Sequence, residues 1–462
     1  MGISNAMDIG RTGLNIYRVA TEVTSENIAN VNTPGYSRQR VILETAPPIS
    51  ANGFPMGTGV RIAAVERYYD ALLQQQLVNA QSTQGFDTTK SNVLQQIEPT
   101  FNEVTNDGLG AAISNYFGAW QDLTLNPAGS AERQAVLSRT QILVDNFHSV
   151  SKSLTDTIAI QNDTLVPLTN DINSTLKNIA QLNGQIKLTE LVSGNANEIR
   201  DQRDQLVRDL SQQIGITFTE NSDGTTDIKY ADSGDALVTG SIAGSFSLTT
   251  NAITGLYDVN VTPAGGAAAT IVAPKTGQLG ATIALRDTII PGYLDKVDDL
   301  ANTIASQVNA QHILGFDLAG VGGGNFFSGT TAATIALDAA ITGTDKIAAS
   351  GNTLLIGDNT NALKMAQLQN QKFAMVGSTA TFNSYFDSLV SEVGLDVKSA
   401  KNTETQDIAF TKQLTTLRES NSGVSLDEEL TNLVKYQRSY QASAKLITTA
   451  TEMLDTVIGL IR

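Results

Sequence analysis

The chain has 462 residues, no cysteine and a formal net charge of −16. The length allows about two to four domains, the missing cysteine removes disulfides, thiolate metal sites and a cysteine nucleophile, and the acidic balance argues against nucleic acid or an anionic membrane surface as partner. Only 16% of residues are charged, against roughly 25% in ordinary proteins, so much of the surface is neutral, polar and tolerant of packing against copies of itself.

Residues 1–30 carry helical spacing. Ile9, Ile16 and Val23 share one seven-residue step, and Met7, Leu14 and Ile28 another. Gly2, Gly10 and Gly13 weaken the helix by roughly 1 kcal/mol each, so it needs packing to persist. They also permit close approach of a neighbour, or reflect no more than poor propensity. The same stretch holds Asp8, Arg11, Arg18, Glu22 and Glu26 and lacks the apolar core of a cleavable secretory signal. No run reaches the about 20 apolar residues that membrane insertion requires. Asn27, Asn30 and Asn32 then supply side-chain hydrogen bonds for a helix end. Pro34-Gly35 fits the two central positions of a type II turn, a fixed corner, with Tyr36 just beyond.

Residues 41–63 are punctuated by Pro47, Pro48, Gly53, Pro55, Gly57 and Gly59 and predict an extended connector with a hairpin. A helix is expected from about Val65 to Val78, with further helical pieces to Phe101. Leu109, Ala112, Ile113, Phe117, Trp120 and Leu123 mark another, with Trp120 as a core aromatic. Over 131–188 the row Leu137, Val144, Ile158, Leu165, Ile172, Ile179 and Ile186 holds a seven-residue step, flanked by Phe147, Leu154, Leu168 and Leu182. Fifty such residues would reach about 75 Å, a rod-like body that Pro167 should kink or split. A helix from Asn197 to Ile214 follows. Asp201, Arg203, Asp204, Arg208 and Asp209 alternate in sign along it and predict a solvated or salt-bridged face.

After Ile214 the period changes to two. A hairpin turns at Asn221-Ser222-Asp223-Gly224, and short strands follow over 245–248 and 256–261. Residues 215–280 thus read as a small β domain inserted into a helical body. Helical spacing returns over 281–313, kinked near Pro291. The Gly-rich segment 315–327 lacks the Lys-Ser/Thr ending of a phosphate loop, and a loop pinned in a core by Phe326 and Phe327 is expected instead. Short strands are expected over 330–357 and helices over 359–376 and 382–420. The last helix begins after Ser422-Gly423. Leu426, Leu433, Tyr440, Ile447, Leu454 and Ile461 hold a seven-residue step, with Leu430, Ala444 and Ile458 four residues after three of them. That is the seam of a helix that needs a partner helix. Ser425 can cap it, with Glu428 as capping-box partner.

Chemistry-bearing patterns are missing. His148 and His312 show no ligand spacing, and no nucleophile or metalloprotease motif is present. The expectation is a protein that is not an enzyme, with no cofactor and no metal.

The run SENIANVNTPGYSRQ at 25–39 is similar to the N-terminal signature shared by flagellar axial proteins, and its Tyr36-Ser37-Arg38-Gln39 ending resembles hook-associated junction proteins rather than rod or hook subunits. Further matches to the flagellar hook-associated protein 1 family follow in order. They are Trp120-Gln121-Asp122-Leu123 with Asn126-Pro127 and Arg133-Gln134-Ala135-Val136-Leu137, then IRDQRDQLVRDLS at 199–211. Next come Arg286-Asp287 before Ile290-Pro291, then Asn309, His312, Gly315, Asp317 and Phe326-Phe327, and last SGVSLDEELTNLVKYQRSYQASAKLI at 422–447. Members of the family often carry a larger, two-lobed β insertion; the β portion here is short.

The resemblance implies a secreted structural protein of the bacterial flagellum, exported through the flagellar type III apparatus to the extracellular hook–filament junction. Its implied partners are copies of itself in a ring-like homo-oligomer, the hook protein, a second hook-associated junction protein, and an export chaperone on the C-terminal helix. The implied assembly residues are Ile9, Leu14, Ile16, Val23, Ile28, Asn30, Pro34, Gly35 and Tyr36 at one end. At the other they are Leu426, Leu430, Leu433, Tyr440, Ile447, Leu454, Ile458 and Ile461. Both stripes would lack partners in a solitary subunit and stay disordered or chaperoned until assembly orders them.

The expected fold is mainly α with an inserted β domain, the terminal helices pairing as a coiled coil over a long-helix bundle. The expected division is 1–45 with 422–462 for assembly, 46–214 with 281–421 as the bundle, and 215–280 as the β domain. Rival readings are another axial subunit of hook or rod, which predicts a β-dominated body, a β-rich adhesin on a coiled-coil stalk, which predicts exposed aromatics in 215–280, and a muramidase.

Overall fold

The computed structural model describes residues 2–51, 54–101, 108–266, 268–355 and 357–460. Helix α1 (Gly2–Ala29) leads into strands β1 (Gln39–Thr45), β2 (Ile49–Ala51), β3 (Phe54–Met56) and β4 (Val60–Arg67). Helices α2 (Ala71–Phe101), α3 (Leu109–Leu123), α4 (Ser130–Ser193) and α5 (Asn197–Gln213) follow. Then come β5 (Ile216–Glu220), β6 (Thr226–Tyr230), β7 (Ala236–Thr239), β8 (Ile242–Ala243), β9 (Ser245–Thr250), β10 (Tyr257–Thr262) and β11 (Thr270–Ile271). Helix α6 (Gly277–Ala284) passes through one π-helical turn into α7 (Ile290–His312). The remainder is β12 (Phe327–Ser328), β13 (Ala336–Leu337), α8 (Thr360–Gln367), β14 (Phe373–Met375), β15 (Ser378–Ala380), α9 (Phe382–Ser422) and α10 (Leu426–Leu460). The fold is mainly α with a small strand-rich insertion, and its terminal helices pack together.

Several boundaries differ from the periodicity, each for a local reason. The strand β4 occupies the start of the helix expected from Val65, and α2 begins only after Asp70, whose Oδ1 accepts the Leu73 amide as a cap. Pro167 does not end α4. Just before Pro291, where a kink was expected, the helix carries a π-helical turn, Leu285–Ile289. Strand over 330–357 shrinks, among the described residues, to the two residues of β13 and a single bridge at Ser350, with a short 3₁₀ helix at Thr344–Lys346 and turns, bends and irregular backbone between.

The chain divides into two compact units. One comprises Met1–Gly85, Leu168–Gly277 and Asp407–Arg462. In it β1 pairs antiparallel with β4, with a bulge at Ile42/Leu43, and β2 with β3. A four-stranded sheet runs β5-β6-β7-β8 and a three-stranded one β11-β10-β9. Two α4 asparagines fasten these sheets. Asn183 bonds the Thr226 amide and the carbonyls of Thr226 and Gly240, and Asn173 bonds both the amide and the carbonyl of Phe246. Tyr230 and Phe246 meet edge-to-face at 5.5 Å and are buried, while Phe218 and Tyr257 are half-buried. The exposed aromatic cluster that an adhesin needs is not formed by these four.

The other unit, Phe86–Pro167 with Gln278–Gln406, is built on an aromatic core. Trp120, Tyr116, Phe117, Phe326 and Phe327 are each at most 1% exposed. Asn309 Oδ1 accepts the amides of Phe326 and Phe327, and its Nδ2 donates to the Phe327 carbonyl, which fixes the end of the Gly-rich loop. His312 Nδ1 meets the Gly324 carbonyl and its Nε2 accepts the Ala348 amide. His148 bonds the Ile335 carbonyl. Both histidines thus serve backbone groups. No helix among the described residues is long and apolar enough to cross a membrane.

Candidate assembly interface

Helices α1 and α10 lie antiparallel. Gly10 faces Leu446 and Ile447, Gly13 faces Ser443, Tyr17 stacks on Tyr436 at 6.5 Å, and Asn27 meets Glu429. A methyl group at Gly10 would stand 2.6 Å from Ile447 Cγ1, and one at Gly13 would stand 2.7 Å from Ser443 Oγ. Of the two readings of these glycines, close approach is the one realised. The two helices, expected to be unpartnered in a solitary chain, here partner each other.

The contact face of α10 differs from the apolar step. Its centre is the row Glu429, Tyr436, Ser443 and Ala450, with Glu429 and Ala450 buried. The step read from the sequence flanks this row. Leu433, Ile447 and Leu454 are half-buried, but Leu426, Leu430, Tyr440 and Ile458 are exposed. Ile461 lies outside the described residues. On α1, Ile16 and Val23 are buried and Ile9, Leu14 and Ile28 half-buried. Asn30, Gly35 and Tyr36 are half-buried, and Pro34 is exposed. Large apolar side chains nonetheless stay exposed on α10, near its start at Leu430 and Val434 and near its end at Met453, Val457 and Ile458, each 46–56% exposed.

The corner after α1 is a type II turn. Gly35 has φ +83°, and the Tyr36 amide donates to the Thr33 carbonyl at 3.3 Å. It is latched from several sides. Asn27 uses its whole amide, donating to Gln39 O and Glu429 Oε2 and accepting from the Gln39 amide and the Tyr36 hydroxyl. Arg38 pairs with Glu429 at 2.7 Å and with Glu428 at 2.6 Å. Glu428, expected to complete a capping box with Ser425, is thus turned to Arg38. Arg418 donates to the Gly35 carbonyl, and the Ser37 amide donates to Asp201.

The charged helix α5 forms the floor of this corner, and four of the five charges read from its sequence are buried, while Asp209 is exposed. Asp201, Arg203, Asp204 and Arg208 are 1–6% exposed. Arg67 bridges Asp201 and Asp204 at 2.7 Å each, and Arg203 pairs with Asp204 and donates to the Gly224 carbonyl. Burial raises Asp201, with Arg67 opposing. Burial also works against ionised Asp204, but Arg67 and Arg203 prevail and hold it below the usual carboxylate range. Burial, with Arg418 nearby, pushes Arg208 down to about 10. Of the two alternatives expected for this face, the salt-bridged one is realised, but its burial was not expected, because alternating charges are usually solvated. The paired Asp and Arg at 201–204, within one helical turn, were the available signal.

Beside the corner a cavity of about 560 Å³ opens, with Glu26, Asn30, Pro34, Tyr36, Leu182 and Glu198 among its lining. The periodicity gave no indication of it.

The sequence model of the flagellar hook-associated protein FlgK helical domain matches residues 94–327, half of the chain. Models of the flagella basal body rod protein and of the flagellar basal body rod FlgEFG protein C-terminal region match 7–36 and 418–460. Flagellar hook-associated protein 1 of Bacillus subtilis strain 168 is 29% identical over 98% of this chain and 97% of its own. Its namesake in Salmonella typhimurium is 27% identical over 99% and 100%, and that of Escherichia coli K12 28% identical over 99% of each. The solved flagellar hook junction protein FlgK from Burkholderia pseudomallei superposes with a TM-score of 0.69 at 17% identity, covering 75% of this chain and all of that one.

Proposed function

The chain belongs to the family of the flagellar hook-associated protein FlgK, and from that premise we propose how it builds the hook–filament junction of the bacterial flagellum. The α1–α10 pair is the assembly element. Its inner face is closed within the subunit, and its exposed apolar side chains, Leu430 and Val434 at one end and Met453, Val457 and Ile458 at the other, pack on neighbouring copies around a ring. We assign residues 1–45 with 422–462 to assembly, 46–214 with 281–421 to the bundle and 215–280 to the outer β portion. The hook protein meets one side of the ring and a second hook-associated protein the other. Before assembly the chain leaves the cell through the flagellar type III apparatus, with an export chaperone covering the same exposed α10 side chains. The protein acts as a structural joint and not as an enzyme.

One observation supports this reading above the rest: α10 packs on α1 and still leaves large apolar side chains exposed in two places, Leu430 with Val434 near its start and Met453 with Val457 and Ile458 near its end. A lone helix pair in water gains nothing from exposing them, and exposed apolar patches mark interaction sites. Replacing Leu430, Val434 and Val457 together by serine tests it. The purified variant should keep the helicity and unfolding midpoint of the parent but fail to restore motility to cells lacking the protein. Full motility of that variant would remove these side chains from the interface.

A further inference from the structure

We propose that Glu26 of α1 and Glu198 of α5 form a proton-operated latch that holds the end of α1, and with it the Asn30–Tyr36 corner, against α5. Both carboxyls line the cavity beside the corner and hydrogen-bond to each other. Two carboxyls in contact repel when both are ionised, which favours a proton on Glu26. No Lys or Arg pairs with either among the described residues.

The surrounding charges leave the pair uncompensated. On α1, Glu22 is engaged by Arg18. From the corner comes the Tyr36 hydroxyl, which donates to Asn27 and is held protonated by burial, with Glu26 adding. On α5, Asp201 is neutralised by Arg67 of β4, and Arg208 is bonded to Gln74 and Gln205. Arg418 of α9 is bonded to the Gly35 carbonyl. From α4 the cavity receives the amides of Asn178 and Gln181 and the Leu182 side chain.

The hydrogen bond to Glu198, helped by burial and by the Glu198 charge, pushes Glu26 up to about 7. A carboxyl raised in the folded state holds a proton that the unfolded chain has already released. Its contribution is therefore complete at acidic pH and lost as pH rises through the folded value. Below about pH 7 the latch is closed. Above it the two carboxylates repel across the α1–α5 contact, and the corner that carries Pro34, Gly35 and Tyr36 loosens.

Hydrogen exchange of the full-length protein, corrected for the intrinsic rate at each pH, reads this directly. The reporters are the amides of Ser37 and Gln39, which bond Asp201 and Asn27. In the parent their protection should fall several-fold between pH 6 and pH 8. In Glu26→Gln the amide replaces the protonated carboxyl, so protection at pH 8 should equal that at pH 6. Glu198→Gln should behave alike and serves if the first variant folds poorly. A flat parent profile, or the parental fall persisting in both variants, would overturn the latch.

Discussion

Asn27 donates a hydrogen bond of 3.0 Å to Glu429, a residue 402 positions away, and both side chains are buried. The bond joins the first helix of the chain to the last. It also ties both to the corner, because the other Asn27 atoms serve Gln39 and Tyr36, and Glu429 serves Arg38. Replacing Asn27 by alanine strands the Gln39 amide and leaves Glu429 one donor short. Unsatisfied buried groups cost about 1–3 kcal/mol each. Asn27→Ala should therefore destabilise by about 2–4 kcal/mol, seen as a lower denaturant midpoint for loss of helicity. Asn27→Asp should be worse, since it sets a carboxylate against Glu429.

The two α1 glycines predict graded effects. At Gly13 the obstacle is the Ser443 hydroxyl, which can rotate, so Gly13→Ala should be nearly neutral. At Gly10 the obstacle is the branched carbon of Ile447 at 2.6 Å. Gly10→Val should cost about 1–3 kcal/mol by overpacking, and Ile447→Ala should recover part of it. Differential scanning calorimetry of the two singles and the double mutant checks the coupling.

The α5 network predicts an acid dependence. Asp204 is held below its ordinary value of 3.8, so its stabilising contribution is present above that value and lost as pH falls through the folded one. Arg203→Met removes one of the two arginines on the buried Asp204 carboxylate and leaves Arg67, so the loss should stay below the about 3–5 kcal/mol of a buried pair broken outright. The variant should lose helix pairing at lower urea than the parent, and its acid-unfolding midpoint should move up in pH.

His312 predicts a second loss of stability on acidification, setting in at higher pH. Its Nε2 accepts the Ala348 amide, so protonation breaks that bond, and burial lowers its pKa from 6.5. Unfolded chains take up the proton first, so stability falls as pH drops below about 6.5 towards the lowered folded value. Trp120, the only tryptophan, lies edge-on to His312 at 6.4 Å and reports on this unit. Its fluorescence should show a lower melting temperature at pH 5 than at pH 7. In His312→Gln the protein should be weakened at both and the pH difference reduced.

Much of this was legible beforehand because the dominant signals are periodic or local. The heptads of α4, the hairpin at Gly224, the Pro34-Gly35 turn and the pinning of Phe326 and Phe327 each depend on neighbours in sequence. What periodicity hid was which α10 face meets α1. The polar row of Glu429 and Ser443 occupies the seam because Gly10, Gly13, Asn27 and Arg38 were there to receive it, and no rule of hydrophobic spacing reports a partner's gaps. The burial of Asp201, Arg203 and Asp204 was hidden for the same reason. Their counter-charge, Arg67, lies on a strand that the sequence assigned to a helix.

The central claim is that α10 is what turns a folded subunit into part of the flagellar axis. Its most direct test is deletion of residues 426–462, with assembly and motility measured in cells that lack the intact protein. The truncated chain should keep the Trp120 fluorescence and melting of its aromatic core, yet build no junction and give no swimming. If the truncated chain still supports filaments, the terminal helix pair is not the assembly element.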